Sequence, residues 1–338
     1  MQARASPGPR SRFISAQAGL ISDAKADGAM RIVSLLPSAT EIVYALDAGD
    51  ELVGVTHECD YPPQARSKTA LTASSLPPAS TADAAAIDRH VRERLHAGSS
   101  IYSLDAALLA QLEPDLIITQ ELCPVCAVSY EQVGTAIKRL RTDPRLVALE
   151  PSSLEDVYRT IESIGELIDR RDAARRLVAG LQVRERALRA CAAQVEEPLP
   201  RVLVLEWTDP PMGGGHWTPG LVELAGGDPV LAHRGADSQR LEWDAIAAAD
   251  PDVIIVAPCG FDLNAALRAV RALADLPQWR SLRAVRGGRV AVVDGNAYVN
   301  RPGPRLIDSA EIFAAAIHPQ LAALLPRYDD GWTMPARV

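Results

Sequence analysis

One pattern is written into this chain twice. Leu112-Glu113-Pro114-Asp115-Leu116-Ile117-Ile118 returns as Ala249-Asp250-Pro251-Asp252-Val253-Ile254-Ile255, and Cys123 and Cys259 follow the two runs closely. In both copies an amphipathic stretch, Leu104 to Leu112 or Trp243 to Ala249, runs up to a proline, which lacks the N–H that a helix requires and stops it. The short apolar run beyond reads as a parallel strand buried on both faces. Arg31-Ile32-Val33-Ser34-Leu35-Leu36 and Arg201-Val202-Leu203-Val204-Leu205-Glu206 form a second matched pair, each a strand followed by a polar loop and a helix. The repeats predict two α/β lobes, and paired lobes leave a cleft where ligands bind.

A chain of 338 residues suits two such lobes with a core each. Hydrophobic residues at 48% and charged residues at 23% fit a soluble globular protein, and a net charge of −8 argues against a nucleic-acid surface. No apolar run approaches the roughly 20 residues that span a bilayer. Residues 1–29 are rich in Ala, Ser, Arg and Gly, with only Phe13-Ile14 and Leu20-Ile21 as apolar pairs. That composition lacks the continuous apolar region of a secretory signal and reads as a disordered leader, with Met30 as an alternative start, so a cytoplasmic location is expected, with a periplasmic one as the alternative if the N-terminus is misread.

Between the lobes, Leu154, Val157, Ile161, Ile164 and Ile168 form one apolar stripe, opened by a capping box of Ser152 and Glu155. The pattern weakens at Asp169-Arg170-Arg171-Asp172 and resumes at Leu177, Leu181 and Leu188. One long helix, or two broken near Arg171, is expected to cross from lobe to lobe. The organisation is therefore a leader over 1–29, an N-terminal lobe over 30–150, a linking helix over 151–195, a C-terminal lobe over 196–320 and a tail over 321–338.

Open parallel sheets bind ligands beyond the carboxyl ends of their strands. Four loops fall there: Thr56-His57-Glu58-Cys59-Asp60-Tyr61-Pro62-Pro63, Cys123-Pro124-Val125-Cys126, the Trp207 to Trp217 loop with Gly213-Gly214-Gly215-His216, and Cys259-Gly260-Phe261. Upstream, Ser38 and Glu41 read as a capping box that opens the first helix.

Arg31 to Pro63, with its Pro37-Ser38-Ala39-Thr40-Glu41 turn and Asp60-Tyr61-Pro62-Pro63, resembles the start of the cobalamin and iron-complex substrate-binding proteins of ABC importers. The Pro-Asp repeats, the linking helix, Gly226-Gly227 and Arg301-Pro302-Gly303-Pro304-Arg305 extend the resemblance from Met30 to about Pro319. It implies a class III periplasmic-binding-protein-like fold, two Rossmann-like lobes joined by a backbone helix, with a corrinoid or metal chelate in the cleft. Among these families the cobalamin binders are the most similar in Asp60-Tyr61-Pro62-Pro63 and in Trp207 to Pro211. The resemblance puts Tyr61 and Trp207 against the corrin, with the Tyr298 loop beside them and His216, Trp217, Phe261 and Arg301 as further ligand contacts. A corrin is a broad apolar disc edged by amides, so it calls for flat aromatic faces and a few hydrogen-bonding groups. Core packing is the competing role for each aromatic, above all for Trp243 and Trp279.

Two features depart from these importer proteins. They carry an acidic residue on each lobe, in the helix before the Pro-Asp strand, to dock on transporter arginines; the second lobe offers Asp244 there, but the first offers Ala107, with Asp105 two residues away. Docking on an ABC transporter is therefore doubtful. The second departure is the cysteines. Cys59, Cys123, Cys126 and Cys259 all sit at predicted strand ends, and Cys191 lies on the linking helix. Converging with His57 or His216, the four would make a zinc or iron–sulfur site; a redox pair, an axial ligand to a bound metallocofactor and unligated buried thiols are the alternatives. A disulfide is not expected in a reducing compartment.

Two classes of function follow. One is a binding protein for cobalamin or a related chelate, with an iron–siderophore or haem complex as the variant ligand. The other is a cytoplasmic metal- or thiol-dependent enzyme acting on such a cofactor, with His57, Glu58 and Asp60 as acid–base groups. No Ser-His-Asp order, phosphate-binding glycine loop or HExxH helix is present, so binding is the preferred reading.

Overall fold

The computed structural model describes residues 14–16, 29–76, 83–96, 100–120, 130–138, 140–195 and 197–335. Its N-terminal lobe contains β1 (Ile14–Ala16), β2 (Ile32–Ser34), α1 (Pro37–Ala45), β3 (Leu52–Val55), β4 (Thr72–Ser74), α2 (Ala84–His96), β5 (Tyr102–Leu104), α3 (Ala106–Gln111), β6 (Leu116–Gln120), α4 (Tyr130–Ile137) and β7 (Arg145–Leu149). α5 (Leu154–Leu167) and α6 (Arg171–Ala192) form the link. The C-terminal lobe contains β8 (Arg201–Thr208), β9 (Pro211–Gly213), α7 (Thr218–Leu224), β10 (Asp228–Pro229), β11 (Gln239–Arg240), α8 (Trp243–Ala249), β12 (Val253–Val256), α9 (Leu263–Leu273), α10 (Pro277–Ser281), α11 (Arg283–Arg286), β13 (Val290–Val293), α12 (Leu306–Ile317) and β14 (Trp332–Thr333).

The repeats fall in separate sheets. One has the order β1-β7-β6-β2-β3 and the other β11-β9-β8-β12-β13-β14, with β10 beside β8. β2, β3, β6 and β7 are parallel, as are β8, β12 and β13. Successive residues of the repeated strands go to opposite faces, as the strand period of two requires. Leu116 and Ile118 join one core cluster and Ile117 another; Val253 and Ile255 separate in the same way from Ile254 and Val256. Both faces of each sheet are covered, which is why the runs are apolar throughout.

The equivalence of the lobes reaches individual atoms. Glu113 and Asp250, each preceding the shared proline, have φ of 39° and 38°. Asp115 Oδ2 accepts from the Arg31 N–H at 2.9 Å, and Asp252 Oδ2 accepts from the Arg201 N–H at 2.9 Å. The Arg31 guanidinium donates to the Leu112 carbonyl at 2.9 Å and that of Arg201 to the Ala249 carbonyl at 2.6 Å. The repeated sequence thus encodes a clamp that ties the end of the helix before each repeated strand to the beginning of the neighbouring strand, β2 in one lobe and β8 in the other.

The link is two helices, broken at Asp169, which has φ of 56°. α6 folds back along α5: Tyr158 Oη donates to Glu185 Oε2 at 3.1 Å, and a Cβ at Gly165 would lie 2.4 Å from the Ala174 Cβ. Its 22 residues give about 33 Å of helix at about 1.5 Å per residue, enough to pass both lobes. Arg170, at its start, pairs with Glu51 of the N-terminal lobe at 2.6 Å. Further along, Arg184 donates to Asp308, Glu311 and the Tyr328 hydroxyl of the C-terminal lobe. The capping box lies one residue later than the sequence suggested. Ser153 Oγ accepts from the Asp156 N–H, and the Asp156 carboxylate takes the Ser152 N–H and hydroxyl, because the buried Asp156 faces back across the turn while Glu155 does not.

At the two ends, Ile14–Ala16 of the leader pairs antiparallel with β7, and β14 adds an antiparallel edge to β13. Among the described residues no helix is long and apolar enough to cross a membrane.

Candidate functional site

The loop after β3 meets the segment 295–305 of the other lobe. Arg301, 5% exposed, is the hub. Its Nη1 donates to Asp60 Oδ1 at 2.6 Å and approaches Glu41 Oε1 at 3.3 Å, while Nη2 donates to the Glu58 carbonyl at 3.2 Å and to Asn296 Oδ1 at 2.9 Å. Burial works against the charge on this guanidinium, but Asp60 and Glu41 outweigh it and Arg301 is held firmly protonated. Arg305 donates to both Glu41 oxygens, at 3.0 and 2.6 Å, and its guanidinium carbon stands 3.9 Å above the Tyr61 ring. Tyr298 lies 5.6 Å from the same guanidinium and packs edge-on against Tyr328 at 5.8 Å.

Tyr61, Tyr298 and Arg301 are therefore brought together, and Glu41, Asn296 and Arg305 complete the group. The role expected for Glu41 as a capping residue is corrected. The α1 cap position, Leu36, has no side-chain cap, and the Glu41 carboxylate is taken by two arginines of the other lobe. A pairing across 260 residues leaves no local mark in sequence, whereas Ser-Ala-Thr-Glu matches the capping pattern by spacing alone.

Trp207 and Phe261 form a second group, with ring centroids 5.1 Å apart in an edge-on contact. The indole N–H of Trp207 is shared between the Asp209 carbonyl at 3.1 Å and the Ala84 carbonyl of α2 at 3.2 Å. Ile87 of α2 is buried in the cluster that holds Leu205 and Phe261, so a helix of the first lobe leans on the aromatic pair of the second.

Trp217 belongs to the core. It is 8% exposed, packs in the main cluster and donates its indole N–H to the Val299 carbonyl at 2.8 Å. His216, with φ of 51°, stacks obliquely beside it at 5.6 Å; burial lowers its pKa, and Asp237, 3.3 Å away, works in the opposite sense. Between this loop, α5 and α6 lies a hollow of about 60 Å³ lined by Ser152, Glu185, His216 and Arg234. Small-molecule pockets run from about 300 Å³, so this one is too small for a chelate. Under the same loop Glu206 accepts from Thr218 Oγ1 at 3.0 Å and Ser238 Oγ at 2.5 Å. Burial pushes its carboxyl above the ordinary range, and the hydroxyls and the Gly215 N–H offset only part of this. Trp279, fully buried against Trp243 at 6.2 Å, fills the core as expected.

The cysteines divide. Cys59, 4% exposed, lies 3.0 Å from Thr40 Oγ1. Thr40 gives its own proton to Ser34 Oγ, and Ser34 gives its proton to the Leu36 carbonyl, so the thiol is the donor that starts this chain. Burial pushes the Cys59 thiol up to about 12, which keeps it protonated and unsuited to metal ligation. Cys259 is exposed and its N–H donates to the Glu206 carbonyl at 3.0 Å. Cys123 and Cys126 lie outside the described residues. Among the described residues no three His, Cys, Asp or Glu side chains converge as a metal site, so a centre shared by Cys59, Cys259 and His57 is not formed.

Residues 32–297 match the family described as periplasmic binding protein, a span that takes in both lobes and the link. The chain belongs to the periplasmic binding protein family. It is 26% identical to the uncharacterized ABC transporter substrate-binding lipoprotein YvrC of Bacillus subtilis, over 86% of this chain and 80% of that protein. It is 24% identical to a protein of Vibrio cholerae named vitamin B12-binding protein, over 85% of this chain and 89% of that one. The periplasmic heme-binding protein RhuT of Roseiflexus sp. RS-1 in apo form superposes with a TM-score of 0.63 at 25% identity, covering 86% of this chain and all of that one. The Arg301 seam joins the loop after β3 to the loop after β13, and the Trp207–Phe261 pair lies at the ends of β8 and β12, where α2 of the first lobe touches it.

Proposed function

We propose that the protein is a binding protein for cobalamin or a related corrinoid, held between the loops that carry Tyr61, Trp207, Tyr298 and Arg301, with Phe261, 3% exposed, backing Trp207 from the core. The observation that carries this reading is the match to the vitamin B12-binding protein of Vibrio cholerae, which runs along 297 residues and so embraces both walls of the cleft. The side chains fit a corrin's needs. Tyr61 is 44% exposed and offers a face, and Asn296 and Arg305, positioned by the buried Arg301, supply donors for peripheral amides or a phosphate. Transporter docking is a separate part of the proposal. Asp244 is exposed on α8, whereas Asp105 is occupied as the α3 cap, accepting the Leu108 N–H at 2.9 Å, so the first lobe offers the weaker contact. Cytoplasmic residence, expected from the composition of residues 1–29, is likewise proposed and is checked by cell fractionation.

Calorimetric titration with cyanocobalamin tests the reading. Heat is expected with the wild type, and Trp207→Ala should weaken binding by about 1 to 3 kcal/mol, the cost of losing an aromatic anchor. Undiminished affinity in the variant would move the site elsewhere. Heat with haemin but none with any corrinoid would replace the ligand by an iron chelate.

A further inference from the structure

The loop after β3 holds one side chain that neither the core nor the lobe seam uses. His57 is exposed, although Cys59 two residues later is buried and the Glu58 carbonyl is already committed to Arg301. Its ring is nevertheless fixed. The His57 backbone N–H donates to Thr72 Oγ1 at 3.1 Å, His57 Nδ1 lies 2.7 Å from the same oxygen, and Thr56 Oγ1 lies 2.8 Å from it. The Tyr102 ring leans on the imidazole at 5.6 Å and is itself tied by its hydroxyl to Glu58 Oε1 at 2.9 Å. Among the described residues, no hydrogen bond engages Nε2.

Hydrogen-bond accounting shows what this arrangement allows. A threonine hydroxyl has one proton and two lone pairs. The His57 N–H takes one lone pair of Thr72, leaving one proton and one lone pair for Thr56 and Nδ1. If Thr72 donates to Nδ1, Thr56 donates to Thr72 and the imidazole proton sits on Nε2. If Nδ1 donates to Thr72, Thr72 donates to Thr56 and Nε2 carries a free lone pair. Thr72 is satisfied in both states, which differ by two hydroxyl rotations and by the transfer of the imidazole proton between Nε2 and Nδ1 through solvent. A histidine anchored at one nitrogen by an outer partner, with the other nitrogen turned out bearing a lone pair, is the arrangement that metal-ligating histidines use.

We propose that His57 is an axial ligand to the metal of the chelate bound in the cleft, and that the preferred cargo is one whose metal has an exchangeable axial position. This rests on the chelate-binding reading above. In the step, a water bound to the metal leaves, the Nε2 lone pair takes its place, the proton on Nδ1 stays on its bond to Thr72, and the oxidation state of the metal is unchanged. Thr72 is the positioning residue.

The test uses the full chain and two corrinoids: diaquocobinamide, with two exchangeable waters on cobalt, and dicyanocobinamide, with both axial positions filled. Wild type should shift the absorbance of diaquocobinamide to that of an imidazole-ligated form and, after reduction to Co(II), show nitrogen hyperfine splitting in its electron paramagnetic resonance spectrum. His57→Ala should abolish both signatures and weaken diaquocobinamide at least about tenfold, leave dicyanocobinamide unchanged, and regain the absorbance shift when free imidazole is added. Thr72→Val should weaken diaquocobinamide while keeping the nitrogen splitting. Identical spectra from wild type and His57→Ala, with the corrinoid bound in both, would overturn the axial role and leave the binding reading intact. Failure of the wild type to bind either cobinamide or cyanocobalamin would overturn both.

Discussion

Glu41 shows how a single carboxylate can govern a seam between lobes. It is 4% exposed and accepts from Arg301 and Arg305, so removing it takes from Arg305 the carboxylate that holds it and leaves Arg301 with Asp60 as its one acidic partner. Breaking a buried pair in this way costs about 3 to 5 kcal/mol, and Glu41→Ala is expected to lose that much in urea denaturation; a loss below about 1 kcal/mol would mean that water reaches the arginines. Glu206 supplies a pH dependence of defined sign. Its folded-state pKa is raised above the ordinary 4.5, so the native state holds this proton more tightly than the unfolded chain. The stabilisation is therefore complete below about pH 4.5 and is lost as pH rises through the folded value. Thermal midpoints of Glu206→Gln should fall less over that interval than those of the wild type. The amide keeps an acceptor for Thr218 and gives Ser238 a donor, so the variant should also be the more stable one at neutral pH.

At the scale of elements, two helical glycines make opposite forecasts. Alanine is favoured over glycine by about 1 kcal/mol inside a helix. At Gly180, exposed on α6, a Cβ meets nothing within 4 Å, so Gly180→Ala should raise stability by about 0.5 to 1 kcal/mol. At Gly165 the Cβ would stand 2.4 Å from Ala174 and 3.2 Å from the Arg170 carbonyl oxygen. Overpacking of about 1 to 3 kcal/mol then exceeds the helical gain, so Gly165→Ala should lower the melting temperature. The α5–α6 fold-back was only half legible in the sequence. The charged break at Asp169 to Asp172 marks where the apolar stripe falters, but either a straight helix or a hairpin satisfies the period. The choice lies in pairs such as Tyr158 with Glu185, 27 residues apart.

For the whole molecule, one core cluster runs from Ile32 through Ile161 and Leu181 to Phe313, and the Arg301 network crosses between the lobes. The lobes should consequently unfold together, as a single calorimetric transition whose calorimetric and van't Hoff enthalpies agree. Two resolved transitions would show that the seam contributes little. The two-lobe architecture was readable because proline, a following aspartate and an alternating apolar run act within a few residues. The site was readable only as a set of loops: Tyr61, Tyr298 and Arg301 converge, but Trp217 turns into the core, Cys59 is claimed by Thr40, and Glu41 and Thr72 gained roles from partners distant in sequence. Aromatic and thiol side chains serve packing as readily as binding, and sequence alone does not say which side of a strand end they take.

The matched clamps have a practical consequence: the molecule carries its own replicate experiment. Asp115 and Asp252 hold the Arg31 and Arg201 N–H groups at the same distance, yet among the described residues Asp252 alone of the two also receives a guanidinium, that of Arg283 at 2.7 Å. Replacing each aspartate in turn by alanine subtracts the same backbone bond from either half. What remains when the two losses are compared is the worth of the Arg283 pair together with the deeper seat of Asp252, measured inside a single chain with its inherited twin as the reference.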